Sequence, residues 1–544
     1  MKRSFASSML VRVALACLVA ACAAGQGVAA AKPNIIFILC DDLGYGDVTC
    51  LNPEGKIATP HMDKIAARGM KFTDAHSSSA VCTPTRYGVM TGRYNWRSKL
   101  QSGVLGGLSP RLIEEGRMTV ASMLKDQGYR TACIGKWHLG MAWVVLPGKT
   151  VSELNIESAD QVNNVDYAQP ITNGPTSVGF DSYFGISASL DMVPYCFIEN
   201  DRVTAVPTEK IKLEMNKGGP VSYTREGPGA PGFRGEDVLP TLTKKAVEFI
   251  SARAADAKAD KPFFLYLPLA SPHTPILPSA SWRGKSGLNL YADFVMETDD
   301  SIGQIVAALD KQGVMENTLL MVTSDNGCSP SADYPTLLAK GHNPSAAYRG
   351  TKADLYDGGH RVPFVVQWPA VVKPGGSYDQ PICLLDLMAT CAEALSVKLP
   401  DNAAEDSVSF LPALEGGKDP VRDTIVHHSI QGAFSIRQGN WKLCLAPGSG
   451  GWSAPRPGQE DKDAPRVQLF DLSRDIGEQA NVEAAHPEVV QKLTGLLAKQ
   501  VAEGRSTPGA PQKNTVDSEI QKGTKLTGPM KRKDSKKAKP VPVH

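Results

Sequence analysis

The sequence CTPTRYGVMTG occupies residues 82–92 and contains the pattern on which the interpretation of the whole chain depends. Pro84 near its start and Gly92 at its end predict a short helix that begins at Cys82. The first N–H groups of a helix carry partial positive charge, so this end of the segment suits an anionic ligand. Arg86, one turn further, can add a fixed cation with a forked set of donors. A lone cysteine is more often a small buried residue, and only the segments that follow favour a chemical role for Cys82.

Several continuous apolar runs predict strands that are buried on both faces of a parallel sheet. Four of these runs, at residues 35–39, 130–134, 263–269 and 319–323, are each followed at once by polar residues. In chain order these residues are Asp41 and Asp42, Lys136 and His138, His273, and Asp325 and Asn326. Open α/β sheets bind ligands at the carboxyl ends of their strands, so we expect these side chains to share one rim.

Four of the rim residues offer oxygen ligands, namely Asp41, Asp42, Asp325 and Asn326. Three carboxylates and one amide suit Ca²⁺ or Mg²⁺ and are poor ligands for zinc. Paired acids and Asn-Gly sequences are also common in solvated turns. Their shared position after buried strands favours a metal site.

Helical patterns alternate with the predicted strands. Amphipathic spacing and end signals predict helices at residues 60–69, 119–127, 239–254 and 289–312. Residues 141–235 are rich in Gly, Pro, Asn and Ser without a clear period, which predicts long loops over the active face. The alternation of strands and helices indicates an α/β fold with a doubly wound sheet.

The pattern changes after about residue 395. Short alternating segments at residues 433–438, 441–445 and 468–471 predict a small antiparallel sheet, and residues 487–503 predict an amphipathic helix. We therefore expect a catalytic domain at 33–395 and a C-terminal α+β subdomain at 396–503. A polar segment with clustered lysines near its end predicts a basic, disordered tail at 504–544.

Composition excludes several classes of protein. The chain has 544 residues, of which 42% are hydrophobic and 21% are charged, as in ordinary globular proteins. Its net charge of +2 gives no reason to expect nucleic acid or an acidic membrane surface as a partner. The 11 cysteines include no Cys-x-x-Cys pair, so zinc ribbons and thioredoxin chemistry are unsupported.

The N-terminus has the features of an export signal. Lys2 and Arg3 precede an apolar run at residues 13–24, and small residues at 28–30 precede a cleavage point. This predicts a signal peptide at 1–30, a periplasmic or secreted protein and no transmembrane segment after cleavage, because the run is too short to span a bilayer. A second interpretation is a bacterial lipobox at residues 19–22, with a lipid anchor at Cys22.

Several separate segments together resemble the signatures of the type I sulfatases. The Cys-x-Pro-x-Arg box at 82–86 is similar to the family's first signature, with Thr85 where Ser is usual, and Met90 stands further on where Leu is usual. The segment GKWHLG at 135–140 resembles the second signature, and GISASLDM at 185–192 resembles an arylsulfatase segment that supplies a sulfate-contacting Ser, here Ser189. GTKADLYDGGHRVP at 350–363 is similar to the Gly-x-Lys segment that leads into Glu-Gly-Gly-x-Arg-Val-Pro, with Asp357 in place of Glu. The resemblance covers about residues 33–500.

The resemblance implies an alkaline-phosphatase-like fold, a mixed sheet with a smaller C-terminal subdomain, and a role for each matched residue. By this resemblance, Cys82 would be converted by a sulfatase-maturating enzyme to formylglycine, whose hydrated form would attack the sulfur with help from Arg86. His273 would protonate the leaving alcohol, and His138 would remove a proton so that sulfate is released. The implied sulfate-binding residues are Lys136, Lys352 and Ser189. The implied ligands of Ca²⁺, favoured over Mg²⁺, are Asp41, Asp42, Asp325, Asn326 and residue 82.

We therefore predict a sulfuric ester hydrolase that acts on a sulfated carbohydrate. One alternative is an arylsulfatase for small aryl or alkyl sulfates, and another is a catalytically silent protein that binds sulfated glycans. A phosphatase of the related superfamily would need Ser or Thr as nucleophile and additional His and Asp zinc ligands. Further residues that could contact substrate, although a structural role is the better expectation for each, are Asp191, Tyr195, His342, His360, His427 and His428.

Overall fold

The computed structural model describes residues 32–524, and strands and helices alternate through most of them. In chain order the strands are β1 Asn34–Cys40, β2 Met70–Phe72, β3 Ala75–His76, β4 Arg130–Lys136, β5 Ser182–Ile186, β6 Ile198–Glu199, β7 Arg202–Val203, β8 Glu209–Ile211, β9 Gly227–Gly229, β10 Phe263–Pro268, β11 Thr318–Ser324, β12 Phe364–Gln367, β13 Gly376–Tyr378, β14 Ile382–Cys383, β15 Thr424–His428, β16 Phe434–Gln438, β17 Trp441–Cys444 and β18 Gln468–Asp471. The α-helices are α1 Pro60–Arg68, α2 Cys82–Thr91, α3 Val120–Asp126, α4 Val238–Lys258, α5 Leu290–Gln312, α6 Tyr334–Ala339, α7 Asp357–His360, α8 Leu387–Ala394, α9 Leu411–Leu414 and α10 Pro487–Glu503.

A ten-stranded mixed sheet forms the centre of the larger domain, in the order β13-β2-β12-β11-β1-β10-β4-β5-β6-β7. Its five central strands, from β11 to β5, are parallel, and every residue of β1 is buried. Helices cover both faces, which explains why β1 is a continuous apolar run. Alternate residues of β1 enter two different cores: Ile36 packs with α1, α4 and α5, and Phe37 packs with α2, α3 and α8. The predicted α/β fold with a mixed sheet flanked by helices is confirmed.

The four strands predicted to carry the rim residues occur within two residues of their expected bounds. The helices predicted from capping and periodicity are also present, the largest difference being four residues at the end of α4. The interpretation of residues 141–235 as loops missed β5, which is a full member of the central sheet. The segment of β5 is short and lies among Gly- and Pro-rich sequence, so its pairing with β4 determines its conformation more than its own pattern does.

A second, four-stranded antiparallel sheet, β15-β16-β17-β18, forms the C-terminal subdomain. Helix α10 packs on it through Leu493 and Leu497. The small sheet was predicted, but its first strand, β15, was not. Phe410 and Leu411 belong to the core of the large sheet, so by packing the boundary lies nearer Thr424 than residue 395.

Residues 504–524 pack against the larger domain. Arg93 donates from Nη2 to the carbonyl of Lys513 at 2.9 Å, and the Ser518 hydroxyl donates to the carbonyl of Trp96 at 2.8 Å. The prediction of a disordered tail is therefore wrong for residues 504–524. The remainder of that tail, the predicted signal peptide and Cys22 lie outside the described residues.

Two further observations concern membrane-spanning helices and the cysteines. Among residues 32–524 no helix has the length and apolar character needed to cross a bilayer. All nine cysteines in this part of the chain are free thiols.

A buried ion-pair network joins the small sheet to the large domain. Lys442 on β17 places Nζ 2.6 Å from Asp357 Oδ1 and 2.7 Å from Glu478 Oε1, and all three side chains are fully buried. Arg361 provides a second partner for Asp357 at 3.1 Å. Asp357 is thus held by a cation from the C-terminal subdomain.

We predict that Lys442→Met lowers the free energy of unfolding by about 3 kcal/mol, because it leaves Glu478 without its buried partner. This loss is near the smallest expected when one partner of a buried ion pair is removed, since Arg361 still neutralises Asp357. Chemical denaturation measures the change. Lys244→Met is the control, because that side chain is 78% exposed and its removal should cost little. Equal stability of the two variants would contradict the stabilising role assigned to the Lys442 ion pairs.

Candidate active site

The site lies where the carboxyl ends of β1, β4 and β11 meet the N-terminus of α2. Cys82 is the first residue of α2 and is 3% exposed, and Gly92 ends the helix with φ 63°, the left-handed conformation that glycine adopts readily. The backbone N–H of Asp325 donates to the carbonyl of Cys40 at 3.0 Å, and the N–H of Asp41 donates to the carbonyl of Ser271 at 2.9 Å. The acidic residues are therefore held by the backbone of neighbouring strand ends.

Acidic oxygens converge beside Cys82. One carboxylate oxygen from each of Asp41, Asp42 and Asp325 lies within 4.8 Å of the other two. Three buried oxygens have no hydrogen-bond partner in the described structure: Asp41 Oδ1, Asp42 Oδ2 and Asn326 Oδ1. Buried acceptors without donors are costly, and these hard oxygen ligands fit a divalent cation such as Ca²⁺ or Mg²⁺.

Three buried cations balance the three carboxylates. Lys136 Nζ lies 2.6 Å from Asp41 Oδ2, and Lys352 Nζ lies 2.6 Å from Asp42 Oδ1. Arg86 donates from Nε and Nη2 to Asp325 Oδ2 at 3.0 and 2.8 Å. Burial disfavours ionisation of Asp41, but Lys136 and the other neighbouring cations outweigh it and hold the pKa of Asp41 well below its usual range. The three cations thus offset the negative charge that the carboxylates bring to the rim.

Two histidines are candidates for catalysis, and their surroundings shift their pKa values in opposite directions. Burial together with Lys136 and Arg86 holds the pKa of His138 well below its ordinary value. Its Nε2 bonds the carbonyl of Leu105 at 2.8 Å, which fixes the proton there and leaves Nδ1 buried and unpartnered, as expected of a neutral base.

His273 is the opposite case. Burial and Lys352 oppose its protonation, yet Asp41 and Asp42 outweigh them and raise the pKa of His273 to about 9. Its Nε2 lies 3.6 Å from Asp42 Oδ2, and its Nδ1 lies 3.2 Å from the hydroxyl of Ser189. A cation bound by these carboxylates would lower this pKa toward the ordinary range. Histidines pushed in opposite directions are suited to act as one acid and one base.

The remaining sulfate-binding candidate also lies at this rim. Ser189 accepts a hydrogen bond from Lys136 Nζ at 3.2 Å, in addition to its contact with His273. All residues proposed from the sequence for catalysis, sulfate binding and metal binding thus lie at this rim. Sequence reasoning missed Leu105, whose carbonyl orients His138 and whose N–H bonds the Thr83 hydroxyl at 3.3 Å. These contacts are made by the backbone and do not depend on the side chain of Leu105, so no sequence pattern predicts them.

The other histidines singled out from the sequence are buried in structural contacts. His342 bonds Asp47 at 2.8 Å, and His428 packs against Phe434. His360 on α7 and His427 on β15 lie with His76 on β3 in a buried cluster, where one ring nitrogen from each comes within 4.8 Å of the others.

This histidine cluster does not fit a metal. The rings of His360 and His427 are stacked, with centroids 3.5 Å apart and planes 10° apart. Imidazole binds metals through lone pairs in the ring plane, and the lone pairs of two stacked rings do not point at one ion. The cluster is a buried polar contact between the C-terminal subdomain and the larger domain.

We predict that Ca²⁺ raises the melting temperature and does so more than Mg²⁺. A ligand at one hundred times its Kd adds about 2.7 kcal/mol of stability. Asp41→Asn should remove most of the shift, because it takes away one charged ligand. Differential scanning calorimetry with and without Ca²⁺ measures it. Asp310→Asn, on the surface, is the control and should retain the full shift. Equal shifts in both variants would place the bound ion elsewhere.

Comparison with known proteins gives the family. A family model described as Sulfatase matches residues 33–397. The chain is 34% identical over 502 residues to an N-acetylgalactosamine-6-O-sulfatase of Bacteroides thetaiotaomicron, with 86% of this chain and 92% of that protein covered. It is 31% identical over 507 residues to human arylsulfatase A, with 88% and 89% covered.

A solved structure agrees with these matches. It comes from work on the metabolism of multiple glycosaminoglycans by Bacteroides thetaiotaomicron, and it superposes with a TM-score of 0.72 at 32% identity, covering 86% of this chain and 99% of that one. The match to the Sulfatase family model spans well over half of the chain, and the matched segment contains the whole rim around Cys82. The chain therefore belongs to the sulfatase family and is an enzyme that hydrolyses sulfate esters.

Proposed function

We propose that this sulfatase removes sulfate from a sulfated carbohydrate, using a formylglycine made from Cys82 and a bound Ca²⁺. The observation that carries the proposal is the convergence of three carboxylates and three cations on the helix N-terminus at Cys82. The relative named N-acetylgalactosamine-6-O-sulfatase, 34% identical, supports a sulfated sugar as the substrate class.

Asp41, Asp42, Asp325 and Asn326 would hold the cation, together with residue 82. When present, formylglycine supplies a nucleophilic hydrate oxygen and the cation supplies positive charge beside it. Conversion of Cys82 requires a sulfatase-maturating enzyme as a partner. Thr85, which that enzyme would meet in its recognition box, donates its hydroxyl to the carbonyl of Ser79 at 2.9 Å in the folded chain.

Each side chain around Cys82 has its own role in the proposed reaction. Lys136, Lys352 and Ser189 bind the sulfate oxygens, and this fixed positive charge stabilises the negative charge that develops there. His273 donates its proton to the departing sugar oxygen. His138, neutral and unpartnered at Nδ1, accepts the proton whose removal releases sulfate. Arg86 fixes Asp325 and holds the end of β4 through the carbonyl of Lys136 at 2.8 Å.

We further propose that the protein is exported to the periplasm or secreted, with residues 1–30 as its signal peptide. The basic start and the apolar run of this segment support the proposal. A lipid anchor at Cys22 is the alternative form of the exported protein, and mass analysis of the native N-terminus distinguishes the two.

Peptide mass spectrometry tests conversion of Cys82. Co-expression with a sulfatase-maturating enzyme should lower the mass of the peptide containing residue 82 by about 18 Da. Cys82→Ala should lose sulfate-ester hydrolysis, whereas Cys50→Ala, at a partly exposed thiol, should retain it. An unmodified Cys82 in active protein would contradict the mechanism, and unmodified, inactive native protein would indicate a silent glycan-binding protein.

The role of His273 is tested by changing the leaving group. His273→Ala should reduce kcat for a sugar sulfate by about 10²- to 10⁴-fold, because an alkoxide leaves poorly without a proton. The loss should be much smaller for 4-nitrophenyl sulfate, whose phenolate leaves readily. His486→Gln, at a half-buried histidine in the C-terminal subdomain, is the control. Equal losses on the two substrates would rule out a general-acid role.

A further inference from the structure

The backbone conformation of Asp42 brings two adjacent acids to one site. In an extended strand neighbouring side chains point to opposite faces, so a continued β1 would separate the carboxylates of Asp41 and Asp42. Asp42 instead has φ 65°, in the left-handed region that residues other than glycine seldom occupy. One carboxylate oxygen of each acid lies within 4.8 Å of the other and of one from Asp325. A residue in such a conformation must be held there by its surroundings.

Tyr291 on α5 contacts the backbone of Asp42. This tyrosine is 2% exposed, and its hydroxyl lies 3.1 Å from the carbonyl oxygen of Asp42. The same hydroxyl lies 2.5 Å from Asp47 Oδ2, so its single proton is shared between the two acceptors. Burial and Asp47 hold the pKa of Tyr291 well above its ordinary value, which keeps the hydroxyl protonated. Tyr291 thus acts on the backbone of Asp42 and leaves the carboxylate free for a cation.

Asp47 connects this hydroxyl to the rest of the turn. It is 1% exposed, and its Oδ2 also accepts the N–H of Gly44 at 2.8 Å. Its Oδ1 lies 2.8 Å from Nε2 of His342. The Nδ1 of His342 accepts the N–H of Lys56 at 3.1 Å, which places the ring proton on Nε2 and makes this nitrogen the donor to Asp47. Both carboxylate oxygens of Asp47 therefore accept hydrogen bonds that fix the turn after Asp42.

The segment that follows His342 packs directly against the same turn. The N–H of Gly46 donates to the carbonyl of Pro344 at 2.7 Å. A Cβ on Gly44 would lie 2.3 Å from the carbonyl oxygen of Pro344, and a Cβ on Gly46 would lie 2.1 Å from that of Asn343. The turn is therefore held by two elements that are distant in the chain, α5 and the segment after His342.

We propose that Tyr291, Asp47 and His342 are positioning residues, which hold Asp42 in its left-handed conformation and so place its carboxylate beside that of Asp41 for a divalent cation. The inference rests on the cation of the proposed function and adds to it the buried side chains that set the affinity for this cation. Contacts behind metal ligands orient them, and loss of such a contact weakens metal binding.

Tyr291→Phe removes only the hydroxyl and should raise the Kd for Ca²⁺ by about 10- to 100-fold. Calorimetric titration of Ca²⁺ into the full-length protein, stripped of metal with a chelator, measures the change and does not require hydrolysis. Tyr129→Phe is the matched control and should leave the Kd unchanged. Tyr129 is also 2% exposed, and its hydroxyl donates to the carbonyl of Pro33 at 2.8 Å, at the opposite end of β1. Equal weakening in both variants, or no weakening in Tyr291→Phe, would overturn the inference.

Asp47→Asn gives a second, independent comparison, because it removes the charge and one acceptor of the same network. It should also raise the Kd for Ca²⁺. The double variant Tyr291→Phe/Asp47→Asn should bind Ca²⁺ little more weakly than the weaker of the two single variants, as expected of residues that act through one contact. Losses that multiply would show that the two residues act independently and would overturn their assignment to one network.

The same titrations separate this inference from the proposed function. A wild type that binds neither Ca²⁺ nor Mg²⁺ would reject the cation of the proposed function and this inference together. A wild type that binds Ca²⁺ with a Kd that Tyr291→Phe leaves unchanged would reject the inference alone. The expected Kd values in a protein that does not hydrolyse a sugar sulfate would support the inference and reject only the proposed substrate.

Discussion

The buried carboxylates at the ends of β1 and β11 are the constraint on which the active site depends. Asp41, Asp42 and Asp325 are fully buried, where an isolated negative charge is costly. The structure offsets this cost with Lys136, Lys352 and Arg86, each within hydrogen-bond distance of one carboxylate. Some acceptor oxygens remain without donors, which leaves capacity for a cation. The parallel sheet makes this possible, because the ends of neighbouring strands meet at one edge.

The same charges separate the two histidines. His138 is beside Lys136 and Arg86 and stays neutral, whereas His273 is beside Asp41 and Asp42 and holds its proton more strongly. Two identical side chains thus acquire different pKa values from their surroundings alone. The sulfate ester of the proposed reaction needs both functions, since one step delivers a proton to the leaving oxygen and another removes one.

The small C-terminal sheet supports this rim from a distance. Lys442 holds Asp357 at the start of α7, and the carbonyl of Gly359 in that helix accepts a hydrogen bond at 2.9 Å from the N–H of Gly327, next to Asn326. A Cβ on Gly327 would lie 1.9 Å from the carbonyl oxygen of Gly358, so the two segments pack backbone to backbone. The position of Asn326 therefore depends on contacts that extend into the C-terminal subdomain.

The amino-acid sequence by itself determined the central strands, the helix at Cys82, the sulfatase signatures and the residues at the rim. It could do so because these features follow from local periodicity, capping and short motifs, each confined to a few neighbouring positions. Only the tertiary structure decided that Ser182–Ile186 joins the central sheet, that residues 504–524 pack on the large domain and that Glu157 points inward beside Gly106. Each of these depends on contacts between segments far apart in the chain, and a polar loop or an acidic residue carries no local pattern that reports which distant backbone it will meet.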